Sequence, residues 1–336
     1  MVATTVLYPG NPVLDRDIES FARNHVDLDP TSTRYGRTLA DYAMQAFAYE
    51  ASRLPHLPRV YRSRSFLAGS LGRRTQEQPL SDIDVFLVFN ADGTEMLKDG
   101  VREEVTMYGT SPNPLVSDSR YHDGAYISSL AVLQQFLPAA RACITADGPF
   151  TEAGVGAKLR TLYLKADTIN VDLVLVELGE TPVLDRYYLP NGDGMWRASN
   201  PKEDQRRLSS MNQTQGGNLL TLVRLMKWWN KSKNAGRLKG IHLEVMIENA
   251  LAGWNSTASF SALRLLIPAL HDAVANSCND PTGLGDPLDA RLAIADRTLS
   301  QRALASDAEV IAEAGRYSDA GFDAAARDAL RRIFPV

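Results

Sequence analysis

Three aspartates and a Gly-Ser pair are the residues of this sequence whose types and spacing could do chemistry together. In FLAGSLGRRTQEQPLSDIDVFLVF, residues 66–89, one apolar run ends in Gly69-Ser70 and a second opens with Asp82-Ile83-Asp84. Strand residues at i and i+2 point to one face, so the second run would present Asp82 and Asp84 side by side, with Ile83 packed behind them. Adjacent anions repel unless cations neutralise them. Carboxylates at this spacing suit a pair of Mg²⁺ ions about 3.5–4 Å apart, one for an attacking oxygen and one for a leaving group. Without a side chain at Gly69 the backbone can approach a phosphate, and the Ser70 amide and hydroxyl can donate to its oxygens. Asp172 interrupts the apolar run INVDLVLVEL at 169–178, where an unpaired charge is costly. If the two runs pair, Asp172 completes a cage of carboxylates and is the candidate general base for an attacking hydroxyl. Glu177 lies an odd number of residues further on and would face the other way.

These residues need strands to hold them. Strand-like runs cover Val60–Ala68, Ile83–Phe89, Lys158–Lys165 and Ile169–Leu178, rich in β-branched and large apolar side chains. A helical pattern precedes them from Asp15 to Arg53, ended by Pro55 and Pro58. A long excursion rich in Gly, Pro, Asn and Ser around Gly109–Ser119 separates the second run from the third and includes a helical segment near Ser129–Arg141. After Asn200-Pro201 the pattern turns helical: Lys202–Met211, Gly217–Lys233, Leu243–Leu251, Ser261–Asn276, Asp289–Gly315 and Asp319–Ile333. The expected fold class is α+β, with a catalytic lobe over 1–200 that includes the N-terminal helices and an all-helical lobe over 201–336. A cleft between two such lobes is where a small-molecule site is expected. On the helix at 217–233, Lys227 falls in the apolar stripe of Leu220 and Val223, so its ammonium must snorkel out or meet an anion. Arg224 sits nearly one turn earlier, and Trp228 and Trp229 are expected in the core.

The pattern G-S-x(11)-D-x-D followed by a lone Asp on a later apolar strand resembles the polymerase-beta-like nucleotidyltransferases. The segments NPKEDQRRL at 200–208, LVRLMKWWNK at 222–231, IHLEVM at 241–246 and DPTGLGD at 280–286 narrow the resemblance to the bacterial cGAS/DncV-like nucleotidyltransferases, relatives of the oligoadenylate synthases. The resemblance implies a nucleotidyltransferase lobe with a mixed sheet. It implies two Mg²⁺, with Mn²⁺ able to substitute, on Asp82, Asp84 and Asp172. The triphosphate of a donor ATP or GTP would rest on Gly69, Ser70 and Lys227, with Arg224 as a second cation. A ribose hydroxyl would attack the α-phosphate and release pyrophosphate, and further rounds would close a cyclic di- or trinucleotide that activates an effector in antiphage (CBASS) defence. The family's base-stacking aromatic is replaced here by Ile241. Either Ile241 packs flat on the base or a ring such as Tyr61 or Tyr187 substitutes. His242 reads as structural, and Asp280-Pro281-Thr282 as a rigid turn at the cleft.

Composition bounds these readings. The chain has 336 residues, 44% hydrophobic and 23% charged, with a net charge of −4. This is an ordinary globular composition without the basic excess of a protein that coats nucleic acid. Five arginines and no acid occupy Pro55–Thr75, and eight bases and no acid occupy Gln205–Leu243, so positive charge is expected where triphosphates enter. Cys143 and Cys278 are far apart and outside any metal-ligand spacing, which reads as two buried thiols in a reducing compartment. The N-terminal MVATTVLYPG has neither a basic start nor a long apolar run, and no stretch approaches a membrane span. A cytoplasmic monomer that binds nucleotides, without membrane or stable nucleic-acid-polymer contacts, is expected. The alternatives are a template-independent tRNA- or RNA-tailing enzyme and a non-catalytic nucleotide sensor on the same fold.

Overall fold

The computed structural model describes residues 10–98, 104–110, 113–179, 186–254, 256 and 258–336. Most of MVATTVLYPG and part of the Gly109–Ser119 excursion lie outside the described residues. In chain order the helices are α1 (Pro12–Phe21), α2 (Pro30–Ser52), α3 (Gly69–Arg73), α4 (Pro114–Ser117), α5 (Ser129–Ala142), α6 (Pro201–Thr214), α7 (Leu219–Ser232), α8 (Gly240–Ala250), α9 (Ser259–Ala275), α10 (Ile294–Asp319) and α11 (Asp323–Leu330). The strands are β1 (Phe66–Leu67), β2 (Asp82–Val88), β3 (Thr94–Lys98), β4 (Glu104–Gly109), β5 (His122–Asp123), β6 (Tyr126–Ile127), β7 (Glu152–Val155), β8 (Leu162–Ala166), β9 (Ile169–Gly179), β10 (Arg186–Pro190) and β11 (Trp196–Ser199).

The chain divides into two compact units. Pro30–Arg73 and Leu80–Asp204 form the first; the chain up to Asp29, Arg74–Pro79 and Gln205–Val336 form the second. The last passage of the chain from one unit to the other falls after Asp204, and two earlier segments belong to the helical unit. One is α1, whose stripe of Leu14, Ile18 and Phe21 is buried in the core of α7, α8 and α9. Asn11 begins this helix by accepting from the Val13 and Leu14 amides, with Pro12 in its first turn, the capping chemistry that the Asn-Pro pair favours. The other is the short Arg74–Pro79 connection between α3 and β2.

The first unit is built on one mixed sheet, with strands in the order β1-β2-β9-β10-β11-β4-β6-β5. In addition, β3 pairs with β4, and β8 joins β9 to β7. Only the β2–β9 pair is parallel among the described strands, running in register from Asp82↔Asn170 to Val88↔Val176. Along this pair Ile83, Val85, Leu87, Val171, Leu173 and Leu175 are fully buried. Helices α2 and α5 cover that face. A side chain at Gly36 of α2 would meet Leu71, Leu80 and Ile83, and Phe136 of α5 stacks on Phe47 and leans on Phe89. The opposite face is left for Asp82, Asp84 and Asp172.

The expected strand over Val60–Ala68 is reduced to Phe66–Leu67. Before it the chain turns, with the Tyr61 carbonyl accepting from the Arg64 and Ser65 amides. Both cysteines are buried free thiols, and burial pushes Cys143 up to about 12 and Cys278 up to about 11. Among the described residues no helix is long and apolar enough to cross a membrane.

In the helical unit Asp289, 6% exposed, accepts from the Cys278 amide at 2.8 Å and from Arg297 Nη2 at 2.6 Å. Burial alone would raise its carboxyl, but the Cys278 amide and Arg297 outweigh burial and hold it below its ordinary value. A depressed value in the folded state contributes stability above the unfolded pKa of about 3.9 that fades as pH falls through the folded one. Asp289→Asn is therefore expected to lower stability by about 1.5–3 kcal/mol at neutral pH. Urea unfolding of both proteins should show the gap narrowing once the pH drops below about 4.

Candidate active site

Because β2 and β9 run parallel in register, Asp84 lies directly beside Asp172, and Asp82 beside Asn170. The antiparallel neighbour β8 extends both rows, setting Tyr163 beside Asp172 and Lys165 beside Asn170. Strand β7 ends them with Gly154 opposite Tyr163 and Glu152 opposite Lys165. One face therefore carries the row Asp84–Asp172–Tyr163–Gly154 and, next to it, Asp82–Asn170–Lys165–Glu152. The expected pairing of the two acid-bearing strands holds. By the same alternation Glu177 faces away from Asp172, and its buried Oε2 has no hydrogen-bond partner among the described residues.

Gly69 and Asp84 fit together closely. Gly69 has φ +60, and a side chain there would put its Cβ 1.8 Å from Asp84 Oδ2. The Ala68 amide donates to the Asp84 carbonyl at 2.8 Å, so backbone and carboxylate of Asp84 both lie against the Ala68-Gly69 turn. Ser70 follows within α3. Glycine is required here for its backbone conformation and for the space its missing side chain leaves.

The electrostatics are those of crowded anions. Burial raises the Asp172 carboxyl, the charge of Asp82 raises it further, and the Thr161 hydroxyl, at 3.4 Å, eases it slightly. Asp82 is exposed and accepts from the neighbouring Ser81 hydroxyl. These hard carboxylate oxygens are the donor type that Mg²⁺ prefers, and a divalent cation would relieve the repulsion that holds Asp172 up. Among the described residues no three acids are already drawn together as a finished ligand set.

Beside Asp172 opens a groove of about 340 Å³ lined by Glu152, Gly156, Ala157, Tyr163, Lys165 and Asn170. Tyr163 lies against Gly154, where a Cβ would come 2.8 Å from the ring, and its hydroxyl donates to Glu152 at 2.5 Å. Sequence reasoning did not single out these residues. The signal available was the alternation of Tyr163 and Lys165 in LYLKA, which matches the alternation around Asp172. Lys202 also passed unnoticed, and its ammonium stands over the Phe66 and Tyr187 rings at 4.9 and 5.6 Å.

Lys227, Arg224 and Ile241 belong to the helical unit. Lys227 is 7% exposed and donates to the Thr75 carbonyl at 2.8 Å, with Glu77 and Glu244 at 3.4 and 3.5 Å. The anions it meets are thus side chains of this chain. Arg224 donates to Asp27 at 2.6 Å and to the Arg74 carbonyl at 2.9 Å. Ile241 is half-buried in the first turn of α8. Of the rings considered in its place, Tyr187 is excluded because it is 0% exposed, packed edge-on against Phe66 and Phe86. Tyr61 is flanked by the Arg59 and Arg64 guanidinium groups. His242 is buried, and burial lowers its pKa. Trp229 is a core residue bonded to Asp307 at 2.6 Å, and Trp228 packs edge-on against Phe21. Asp280 organises its turn by accepting from the Thr282 amide and hydroxyl and from the Gly285 amide.

The chain matches no protein-family model. It is 25% identical over 276 residues, 79% of its length and 80% of the relative's, to a Bacillus cereus (strain VD146) protein described as a probable cyclic nucleotide synthase. Among solved structures it resembles E. coli MS115-1 CdnC in a complex with HORMA-deltaN, with a TM-score of 0.64 at 15% identity over 95% of this chain and 96% of that one. CdnC with ATP superposes with a TM-score of 0.60 at 17% identity over 96% and 98% of the two chains. The chain therefore has the nucleotidyltransferase fold. The resemblance read from its motifs, to the bacterial cGAS/DncV-like enzymes, agrees with these likenesses.

Gly69→Ala tests the close fit. A left-handed backbone costs a residue with a Cβ roughly 1–2 kcal/mol, and the new methyl group must displace the Asp84 carboxylate. A shift of about 1 Å at a reacting centre costs about 100-fold in rate. Pyrophosphate release from nucleoside triphosphates should fall by at least that factor, with an unchanged far-ultraviolet circular dichroism spectrum.

Proposed function

We propose that this chain makes a cyclic di- or trinucleotide second messenger from ATP and/or GTP. The observation that carries the reading is the row of carboxylates on the parallel β2–β9 pair, with Asp84 and Asp172 adjacent and Gly69 closing on Asp84. The description of the B. cereus relative as a probable cyclic nucleotide synthase supports the product class, and the CdnC structure with ATP supports a nucleotide substrate.

The geometry separates two flanks. Gly69 and Ser70 lie on the β1 side of the acids and offer backbone and hydroxyl donors to the triphosphate of the donor nucleotide. Asp172 lies on the β8 side, next to the groove, so the acceptor nucleotide sits there with a ribose hydroxyl toward Asp172. The hydroxyl oxygen bonds to the α-phosphorus, the bond to the bridging oxygen breaks, pyrophosphate leaves, and the hydroxyl proton passes to Asp172. Asp82 and Asp84 would hold the metal that accompanies the triphosphate, and Asp172 would share the catalytic one. Bound Mg²⁺ supplies positive charge for the phosphates and makes the attacking hydroxyl more acidic. The product would reach an effector in antiphage defence.

Incubation with radiolabelled ATP, GTP, CTP and UTP, singly and in pairs, followed by nuclease digestion, tests the reading. Ring products whose formation requires Mg²⁺ and is abolished by Asp82→Ala with Asp84→Ala are expected. Linear, growing chains would instead point to an oligoadenylate-like or tailing enzyme, and an absence of pyrophosphate release in the wild type would point to a sensor. Tyr163→Ala is expected to raise KM for the acceptor about 5–150-fold, the range that follows from losing a base–aromatic contact of about 1–3 kcal/mol. Varying one nucleotide at a fixed level of the other reads that change.

A further inference from the structure

The Arg74–Pro79 connection follows the Gly69–Arg73 turn and is followed almost at once by Asp82. Surface connections are normally polar and exposed. Here Thr75, Gln76 and Glu77 are 0%, 6% and 2% exposed, and the connection packs within the helical unit. Its bonds explain why. Lys227 Nζ donates to the Thr75 carbonyl at 2.8 Å, and the Thr75 hydroxyl donates to Glu244 at 2.7 Å. Glu77 pairs with Lys231 at 2.5 Å and with Lys227 at 3.4 Å, while its backbone bridges to Asp27. The Gln78 amide donates to the Val26 carbonyl at 2.8 Å, and Arg224 grips the Arg74 carbonyl at 2.9 Å. Burial by itself would raise the Glu77 carboxyl, yet Lys227 and Lys231 reverse that and hold it below its ordinary value.

We propose that Lys227 is a positioning residue, which with Glu77 and Glu244 forms an ionic lock fixing the connection between the phosphate-binding turn and the Asp82–Asp84 strand. The lysine that serves both acids also orients the Thr75 carbonyl. Removing Lys227 takes from two buried carboxylates a cation that they share, and losing one partner of a buried ion pair is far more damaging than removing the pair together. The consequence reaches catalysis through the chain, because the connection is continuous with the residues that hold the phosphate and the metal. This part of the inference rests on the proposed function.

The lock and direct binding of triphosphate by Lys227 make opposite predictions for a double-mutant cycle. If the lock holds, Lys227→Met lowers kcat for pyrophosphate release about 100-fold, with KM for the donor nucleotide changed less than threefold. Adding Glu244→Gln restores at least tenfold of that loss, and Glu244→Gln alone lowers kcat without moving KM. If Lys227 instead holds the triphosphate, Lys227→Met raises donor KM tenfold or more, Glu244→Gln alone changes neither constant, and the double variant recovers nothing; this outcome overturns the lock. A wild type that releases no pyrophosphate refutes the proposed function and leaves the lock to be read by thermal melting of the same four proteins. There a double variant that melts above Lys227→Met supports the lock, and additive losses overturn it. Should Lys227→Met fail to fold, Glu77→Gln with Lys231→Met against each single change gives the same cycle, and additivity there overturns the lock as well.

Discussion

The carboxylate of Asp84 occupies the space that a side chain at residue 69 would need, and the rest of the catalytic face is arranged around that contact. It requires a left-handed backbone at Gly69, so the strand before it must stop there and the chain must turn. It also requires β2 to lie beside β1, which the Phe66↔Phe86 and Leu67↔Val85 pairs secure. Once β2 is placed, its parallel partner β9 can bring a third acid to the same face only in registers of the right parity, since a slip of one residue would turn Asp172 into the face covered by α2 and α5. The buried run of Val171, Leu173 and Leu175 forbids that slip. Local backbone geometry and core packing thus impose the same arrangement of charges.

That arrangement was legible in the sequence because it rests on a period of two. Asp82, Asp84 and Asp172 each break an apolar alternation at a position whose parity can be counted, and the structure keeps all three on one face. The helices of the second unit were legible for the corresponding reason at a period near four. The strands β3 to β6 and β10 to β11 were not, because they are short or polar, and β4 takes partners farther along the chain in β6 and β11. The same holds for α1, whose amphipathic stripe announces a helix but does not say which core it enters. The groove beside Asp172 depends on the β7–β8 hairpin, and its chemistry emerges only when Tyr163 and Lys165 are set opposite residues of another strand.

Charge was the least legible property. The acid-free windows Pro55–Thr75 and Gln205–Leu243 suggest open positive surface, yet the structure gives several of their cations acidic partners far away along the chain. Arg62 meets Asp41, Arg207 meets Glu248, Arg224 meets Asp27, Lys231 meets Glu77, and Lys233 meets Asp307. A lack of acids nearby in sequence says nothing about acids nearby in space, particularly for long side chains that reach between elements. What sequence did establish for Lys227 was the dilemma of an ammonium on a packed helix face. Burial beside Glu77, Glu244 and a carbonyl resolves it.

The composition of that cluster also bears on its purpose. Buried ionic groups are poor devices for stability alone, since well-packed apolar residues of similar volume often do as well or better. Leucines in place of Lys227 and Glu244 could fill the space, but they could neither donate to the Thr75 carbonyl nor accept from its hydroxyl. Apolar contact tolerates sliding, whereas a hydrogen bond weakens steeply with misalignment. An ion cluster gripping a backbone carbonyl therefore fixes direction as well as proximity. Direction is what a short connection needs when it is followed so closely by the first of the acids that must converge on one phosphate.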